Sequence, residues 1–408
     1  MKKFYFCRFL LFFFWGIFLL PLGAAEKDSA VYIEKKPSFQ DMLKARAAAQ
    51  EEKPQVIKKD FKMDFSNLDI PTTADLFVQV WHQPSFSQDL TGACWSFSAT
   101  SFFESEIYRL SGRQIRLSAM HTVYWEFVEK ARRFVRERGD SDFVRGSQPN
   151  AILHIFAEYG ALPYEAYNGM KSGSDIFNDI KMFSEMKAYL ESVKAAGAWN
   201  EEAVIATVRA IMNSHMGAPP EKVLANGAEM TPQEYFKNVL GLKLEDYWNF
   251  ISLMEFPFYE KVEYPVSDNW WHCRDYINLP LDVFMKIIKK AAREGYSVCM
   301  AGDNSEPGFF PPLNAAVVPS FDIPADYIDD AARQMRFNSE STTDDHAIHL
   351  VGYLEKNGND WYLIKDSGNR ARDGRAPGYF FYREDFVKLK MMNIMAHKDV
   401  AKEFIIQP

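Results

Sequence analysis

Apolar residues recur at helical spacing at Trp95, Ala99, Phe102, Phe103, Ile107 and Leu110, which predicts a helix over 94–110. A second is predicted over about 118–136. A third follows Ser147-Gln148-Pro149, with proline in its first turn and Gly160 past its end. From about 170 to 255 the period stays helical, as in "DIKMFSEMKAYLESVKAAG" and "TPQEYFKNVLGL", and predicts a helical insertion. "LPLDVFMKIIKKAAREG" is one more helix, leading into a short strand, "YSVCMAG". The last hundred residues alternate instead: "HAIHLVGYLE", "DWYLIKDS" and "PGYFFYRE" read as short strands between Gly and Asn turns. Helices first and strands later predict an α+β protein with a helical lobe and a sheet lobe.

The N-terminal stretch departs from this pattern. Lys2, Lys3 and Arg8 precede an apolar run, Phe9 to Leu20, and small residues follow at Gly23, Ala24 and Ala25. This predicts a secretory signal over 1–25, and hence export to a periplasm, cell surface or extracellular space. No later stretch approaches eighteen apolar residues, so no membrane span is expected after cleavage. Residues 26–68 form a charged, peripheral arm in which Ser38 caps a helix to about residue 52. The folded domain is expected over 69–408. Loss of Lys2, Lys3 and Arg8 takes the net charge from −8 to −11, which argues against nucleic acid or anionic lipid as a partner. The run Lys130, Arg132, Arg133, Arg136, Arg138 reads as a solvated helix face.

Four cysteines are present, and Cys7 leaves with the signal. Cys94, Cys273 and Cys299 fit neither a disulfide framework nor a zinc site. An odd number leaves at least one free thiol, a liability in an oxidising compartment unless buried or used. Cys299 lies in an apolar strand and Cys273 beside Trp270 and Trp271, so both read as packed small hydrophobes. Cys94 opens a helix, where the macrodipole and unpaired N–H groups favour the thiolate. Gly92 leaves room for a close approach, and Gln88 can donate an amide hydrogen to a developing oxyanion beside the Cys94 N–H. In "TTDDHAIHLVGY", alternation points His346 and His349 to opposite faces, against a shared metal site. Hairpin pairing of the next two strands brings Asp366 near His346.

These pieces together resemble the papain-like cysteine peptidases. Gln88 followed by Gly92-Ala93-Cys94-Trp95-Ser96-Phe97 matches the glutamine-to-cysteine block, and "DHAIHLVGYLEKNGNDWYLIKDSG" the histidine block. "LSAMHTVYWEFVEKARRF", "VRGSQPNAILHIFAEYGALPYEAY" and "MNIMAHKDV" look like the bleomycin hydrolase/aminopeptidase C branch, and the resemblance covers about residues 75–400. It implies a two-lobe fold with Cys94 on the helical lobe and His346 on an antiparallel sheet lobe. It implies Cys94 as nucleophile, His346 as its proton partner, Gln88 at the oxyanion and Asp366 orienting His346. Gly92, Trp95, Gly146, Ser147 and Asp345 then surround a peptide substrate. No cofactor or metal is required, and a homo-oligomer, a hexamer, is implied.

The chain departs from that pattern in four places. Asp366-Ser367-Gly368-Asn369 stands where a run like Asn-Ser-Trp-Gly is usual, which leaves Asn369 as a second candidate to orient His346. The missing tryptophan predicts a His–Asp contact less shielded from water. The family's paired glycines are here Gly146-Ser147; Gly146 admits a substrate strand, and Ser147 narrows the groove or caps the next helix. Only "KDVAKEFIIQP" follows His397, short for a tail that enters the active site, and the export signal is foreign to mostly cytosolic relatives. The function expected is an exported cysteine peptidase, an aminopeptidase or oligopeptidase. The alternatives are a weakened peptide-binding homologue and another Cys–His–Asp acyl-transfer enzyme such as a transglutaminase. The order of the blocks and the Gln88 spacing favour the peptidase.

Overall fold

A computed structural model describes residues 27–34, 36–47, 59–171 and 174–405; the expected signal at 1–25 lies outside the described residues. Helix α1 (Phe39–Ala47) starts at Ser38, which exchanges capping hydrogen bonds with Asp41, and its expected end near residue 52 is likewise outside them. The arm also holds two strands the charge pattern hid: Ala30–Glu34 pairs antiparallel with Lys59–Met63. Met63 and Phe65 already pack with Val351, Trp361 and Phe381 of the sheet lobe.

The helical lobe is organised by α2 (Cys94–Ser111). Every residue from Trp95 to Ile107 is buried, so this helix is covered on all sides between its first residue and its last turn, where Leu110 emerges. It stops at Gly112, whose φ of 69° is the left-handed conformation that glycine adopts without strain. Helix α3 (Ala119–Arg136) is capped by the Ser118 hydroxyl, which accepts from His121 N at 3.0 Å. Helix α4 (Ala151–Tyr159) ends at Gly160. Helices α5 (Ile180–Ala196) and α6 (Glu201–Met216) follow, and α6 is tied to α3 by the Tyr124–Asn213 hydrogen bond at 2.9 Å. A small hairpin then leads to the Thr231–Glu234 capping box that opens α7 (Pro232–Tyr235).

Tyr247–Ile251 breaks the expected helical run: it is a strand of the large sheet. Both faces of this strand are covered, Tyr247 against Phe102 and Phe103, Phe250 against the sheet-lobe core. A strand buried on both sides loses the alternation that would have marked it. Lys130 is a second correction. It is 2% exposed, its ammonium donating to the carbonyls of Val144 and Gly146, while Arg136 does reach solvent.

The sheet lobe centres on His346–Lys356, flanked by Asn359–Lys365 and Val298–Gly302, all antiparallel. Helix α8 (Leu281–Arg293) covers one face with Leu281, Phe284, Ile287, Ile288 and Ala291. The other face meets α2. There the Ser101 hydroxyl bonds His349 Nδ1 at 2.8 Å, and Cys299 Sγ lies 3.6 Å from the Ser98 hydroxyl. Alternation along one strand thus spends His349 on locking the lobes together and turns His346 toward the cleft. Among the described residues no helix is long and apolar enough to cross a membrane.

Candidate active site

Cys94 is the first residue of α2 and partly exposed, whereas Cys273 and Cys299 are free and buried. Its side chain acts on the His346 imidazole and helps raise the pKa of that ring. His346 Nε2 lies 2.9 Å from Asp366 Oδ1, so Nδ1 is the nitrogen left for Cys94. Burial alone would lower the His346 pKa. The Asp366 charge and hydrogen bond, with the Cys94 contact, outweigh it and hold the imidazole well above its ordinary value. Burial would raise Asp366, but the His346 charge and the Gly368 N–H, which donates at 2.6 Å, hold it below the usual carboxylate range. Both shifts run in the direction that favours the ion pair.

Asn369 plays no part in that pair. Its amide donates to the Asp89 carbonyl at 2.8 Å and accepts from the Ser87 hydroxyl at 3.3 Å. Gly368 lies directly on the pair: a Cβ there would come within 3.1 Å of the His346 ring. Contrary to the expectation from the missing tryptophan, the contact is sheltered, with Asp366 only 2% exposed.

Gln88 is buried beside the turn that feeds α2. Its Nε2 donates to the Thr91 carbonyl at 3.1 Å, and its Oε1 accepts from the Ser367 hydroxyl at 2.8 Å. A carbonyl can only accept, so Thr91 fixes which end of the amide is nitrogen, and the second N–H stays available. Ser367 carries no signal in the sequence beyond its place next to Asp366.

The remaining candidates divide. Asp345 lines a cleft of about 420 Å³ together with Gln88, His346, Asp366 and Arg370. Trp95 does not face it: at 1% exposure it packs in the helical core. The space a side chain at Gly92 would take is filled by Arg145, whose Cβ would stand 2.7 Å from a Cβ at that position. Ser147 is buried and accepts from Trp270 Nε1 at 3.1 Å, neither narrowing the groove nor capping α4. At Gly146 the Asp268 carboxylate lies where a side chain would be, so only glycine fits there.

The arm takes part as well. Gln40 and Lys44 of α1 line the cleft beside Gln88 and His346. Phe39 N donates to Asp373 Oδ1 at 2.6 Å on the sheet lobe, and Arg46 pairs with Asp175 at 2.7 Å beside the helical lobe. Leu43 is buried under the helix. A segment expected to be peripheral thus spans the mouth of the site.

No family model matches the chain. In sequence it is similar to aminopeptidase C of Streptococcus thermophilus, 22% identical, with 77% of this chain and 80% of the relative covered. It is also similar to aminopeptidase C of Lactobacillus delbrueckii subsp. lactis, 24% identical, covering 54% of this chain and 59% of the relative. Among solved structures, PepW of Lactobacillus rhamnosis HN001 superimposes with a TM-score of 0.65 at 17% identity, over 81% of this chain and 84% of that one. The α+β fold with its helical and sheet lobes is the papain-like fold expected from the sequence, and the resemblance to the aminopeptidase C branch agrees with both relatives.

Proposed function

We propose that this chain, papain-like in fold and similar in sequence to the aminopeptidase C branch, is an exported cysteine peptidase that removes residues from the N-terminus of peptides. The observation that carries this reading is the chain of contacts Cys94–His346–Asp366 at the start of a buried helix. The thiolate attacks the peptide carbonyl carbon. The carbonyl oxygen gains charge facing the Cys94 N–H and the free N–H of Gln88. The imidazolium gives its proton to the leaving amine as the C–N bond breaks, leaving an acyl-enzyme. Water, deprotonated by His346, then releases the acid and restores the thiol. Asp366 keeps the ring turned throughout and favours its charged form whenever it holds the second proton. No step calls for a metal or organic cofactor. Export rests on the signal pattern of residues 1–25.

The test is labelling with an epoxysuccinyl inhibitor, followed by a fluorogenic panel with free and blocked N-termini. Cys94 should be labelled, and Cys94→Ala should lose hydrolysis while keeping its fold by circular dichroism. Near wild-type hydrolysis by Cys94→Ala would overturn the mechanism. Labelling without hydrolysis of any peptide would favour the peptide-binding alternative.

A further inference from the structure

The leaving-group side of the cleft has a wall that the proposed chemistry does not use. His346 gives its proton to the leaving amine, so the residue that departs lies against His346 and the turn beyond Asp366. Asp366, Gly368, Asn369 and Arg370 of that turn all line the cleft. Helix α1 is fastened to the same stretch through Phe39 N, which donates to Asp373 Oδ1 at 2.6 Å, and it brings Lys44 to the cleft wall.

Two exposed cations therefore border this side, Lys44 and Arg370. Neither is in an ion pair or a side-chain hydrogen bond among the described residues. Arg370 lies only over the Phe309 ring, at 5.9 Å. Arg145, a third cation of the wall, is already spent on Asp179 and the Leu90 carbonyl. The carboxylates of the wall do not cancel the other two. Asp366 is taken up by His346, and Asp89 accepts from Phe177 N at 2.9 Å. Asp345 feels the Arg370 charge without pairing with it. Solvated cations are ordinary on an open surface. These border a cleft of about 420 Å³, the size of a small-molecule site, that also holds His346 and Asp366.

We infer that Lys44 and Arg370 bind a carboxylate on the departing residue: the C-terminal carboxylate of a short peptide or, as the other source of the same chemistry, an acidic side chain. This rests on the peptidase reading above and adds its substrate class. In a dipeptide only the α-carbon separates the scissile nitrogen from the carboxylate. A leaving amine held at His346 therefore keeps its negative charge on this side of the cleft. The planar guanidinium of Arg370 offers paired N–H donors that match a carboxylate, and the Lys44 ammonium adds a mobile charge from the helix. A longer leaving chain with neutral side chains carries no charge at that place and has to pass beneath α1. The cleft thus selects small peptides by charge as well as by room.

The experiment compares the full chain with Lys44→Gln, Arg370→Gln and the double variant, competent sites being counted by inhibitor labelling of Cys94. One substrate pair is leucylglycine and leucylglycinamide. The other is the C-terminal amides of leucyl-aspartate and leucyl-asparagine. Released leucine is measured. The full chain should cleave leucylglycine about tenfold better in kcat/KM than its amide, mostly through KM, and the double variant should bring that ratio to about one. A preference confined to the aspartyl substrate, and lost in the double variant, would support the carboxylate site and assign it to the side chain. No preference for the acid in either pair, or a preference that the double variant keeps, would overturn the inference. Calorimetry of both pairs on Cys94→Ala, with and without the two substitutions, makes the same comparison without catalysis. Failure of the peptidase reading therefore stays distinct from failure of the carboxylate site.

Discussion

Ser367→Ala tests how Gln88 is held. The hydroxyl of Ser367 donates to Gln88 Oε1 at 2.8 Å, and Gln88 N donates to the Ser367 carbonyl at 2.9 Å. The substitution removes only the side-chain bond, leaving the amide tethered by Thr91. A hydrogen bond of this kind contributes about 1 kcal/mol net. If that energy orients the oxyanion donor, its loss should lower kcat about fivefold with little change in KM. Gln88→Ala removes the donor itself and should lower kcat about 100- to 1,000-fold. The double variant should then be no slower than Gln88→Ala, because Ser367 has nothing left to orient. Initial rates on a fluorogenic amide, corrected by inhibitor titration, give all four numbers. A further fivefold loss on adding Ser367→Ala to Gln88→Ala would show that Ser367 acts through the Asp366 loop and would refute the reasoning.

Asp366→Asn should keep the His346 contact but remove the charge that holds the imidazolium. His346 then loses its proton at lower pH, so the alkaline limb of kcat/KM against pH should move down; an unmoved limb would exclude Asp366 as its cause. Cys299→Ala should leave kcat unchanged and cost about 1 kcal/mol in denaturant unfolding, since this fully buried thiol fills the seam between α2 and the sheet. Arg333 is fully buried and donates to the carbonyls of Ser252, Lys388, Met391 and Met392. Arg333→Leu strands those four acceptors and should cost about 3–5 kcal/mol in the same assay, a loss under about 1 kcal/mol arguing against their dependence on it.

The parts of the site that lie on regular elements were legible from sequence. A helical period put Cys94 at a helix start, and a two-residue period separated His346 from His349; both survive because the elements obey those periods. The surroundings were not legible, for physical reasons. Trp95 sits next to the nucleophile in sequence, yet one step around a helix turns it into the core. Gly92 and Gly146 are open positions, but sequence does not reveal that Arg145 and Asp268, one of them far along the chain, fill the openings. Lys130 looks like its solvated neighbours until its carbonyl partners are known. The strand Tyr247–Ile251 hid because burial on both faces erases alternation.

The seating of α1 has a thermodynamic consequence. The helix is part of the same chain and lines the cleft beside His346, so it competes there as an intramolecular occupant. Its ties include the Phe39 N–H donated to the Asp373 carboxylate, the buried Leu43, and an ion pair between side chains 60% and 76% exposed, which contributes little. Any peptide that extends beneath Gln40 and Lys44 must compete with that tethered occupant, and by linkage whatever anchors α1 more firmly weakens the peptide by the same factor. Affinity for long substrates is therefore set jointly by the cleft and by a helix that contributes nothing to the bond-breaking step.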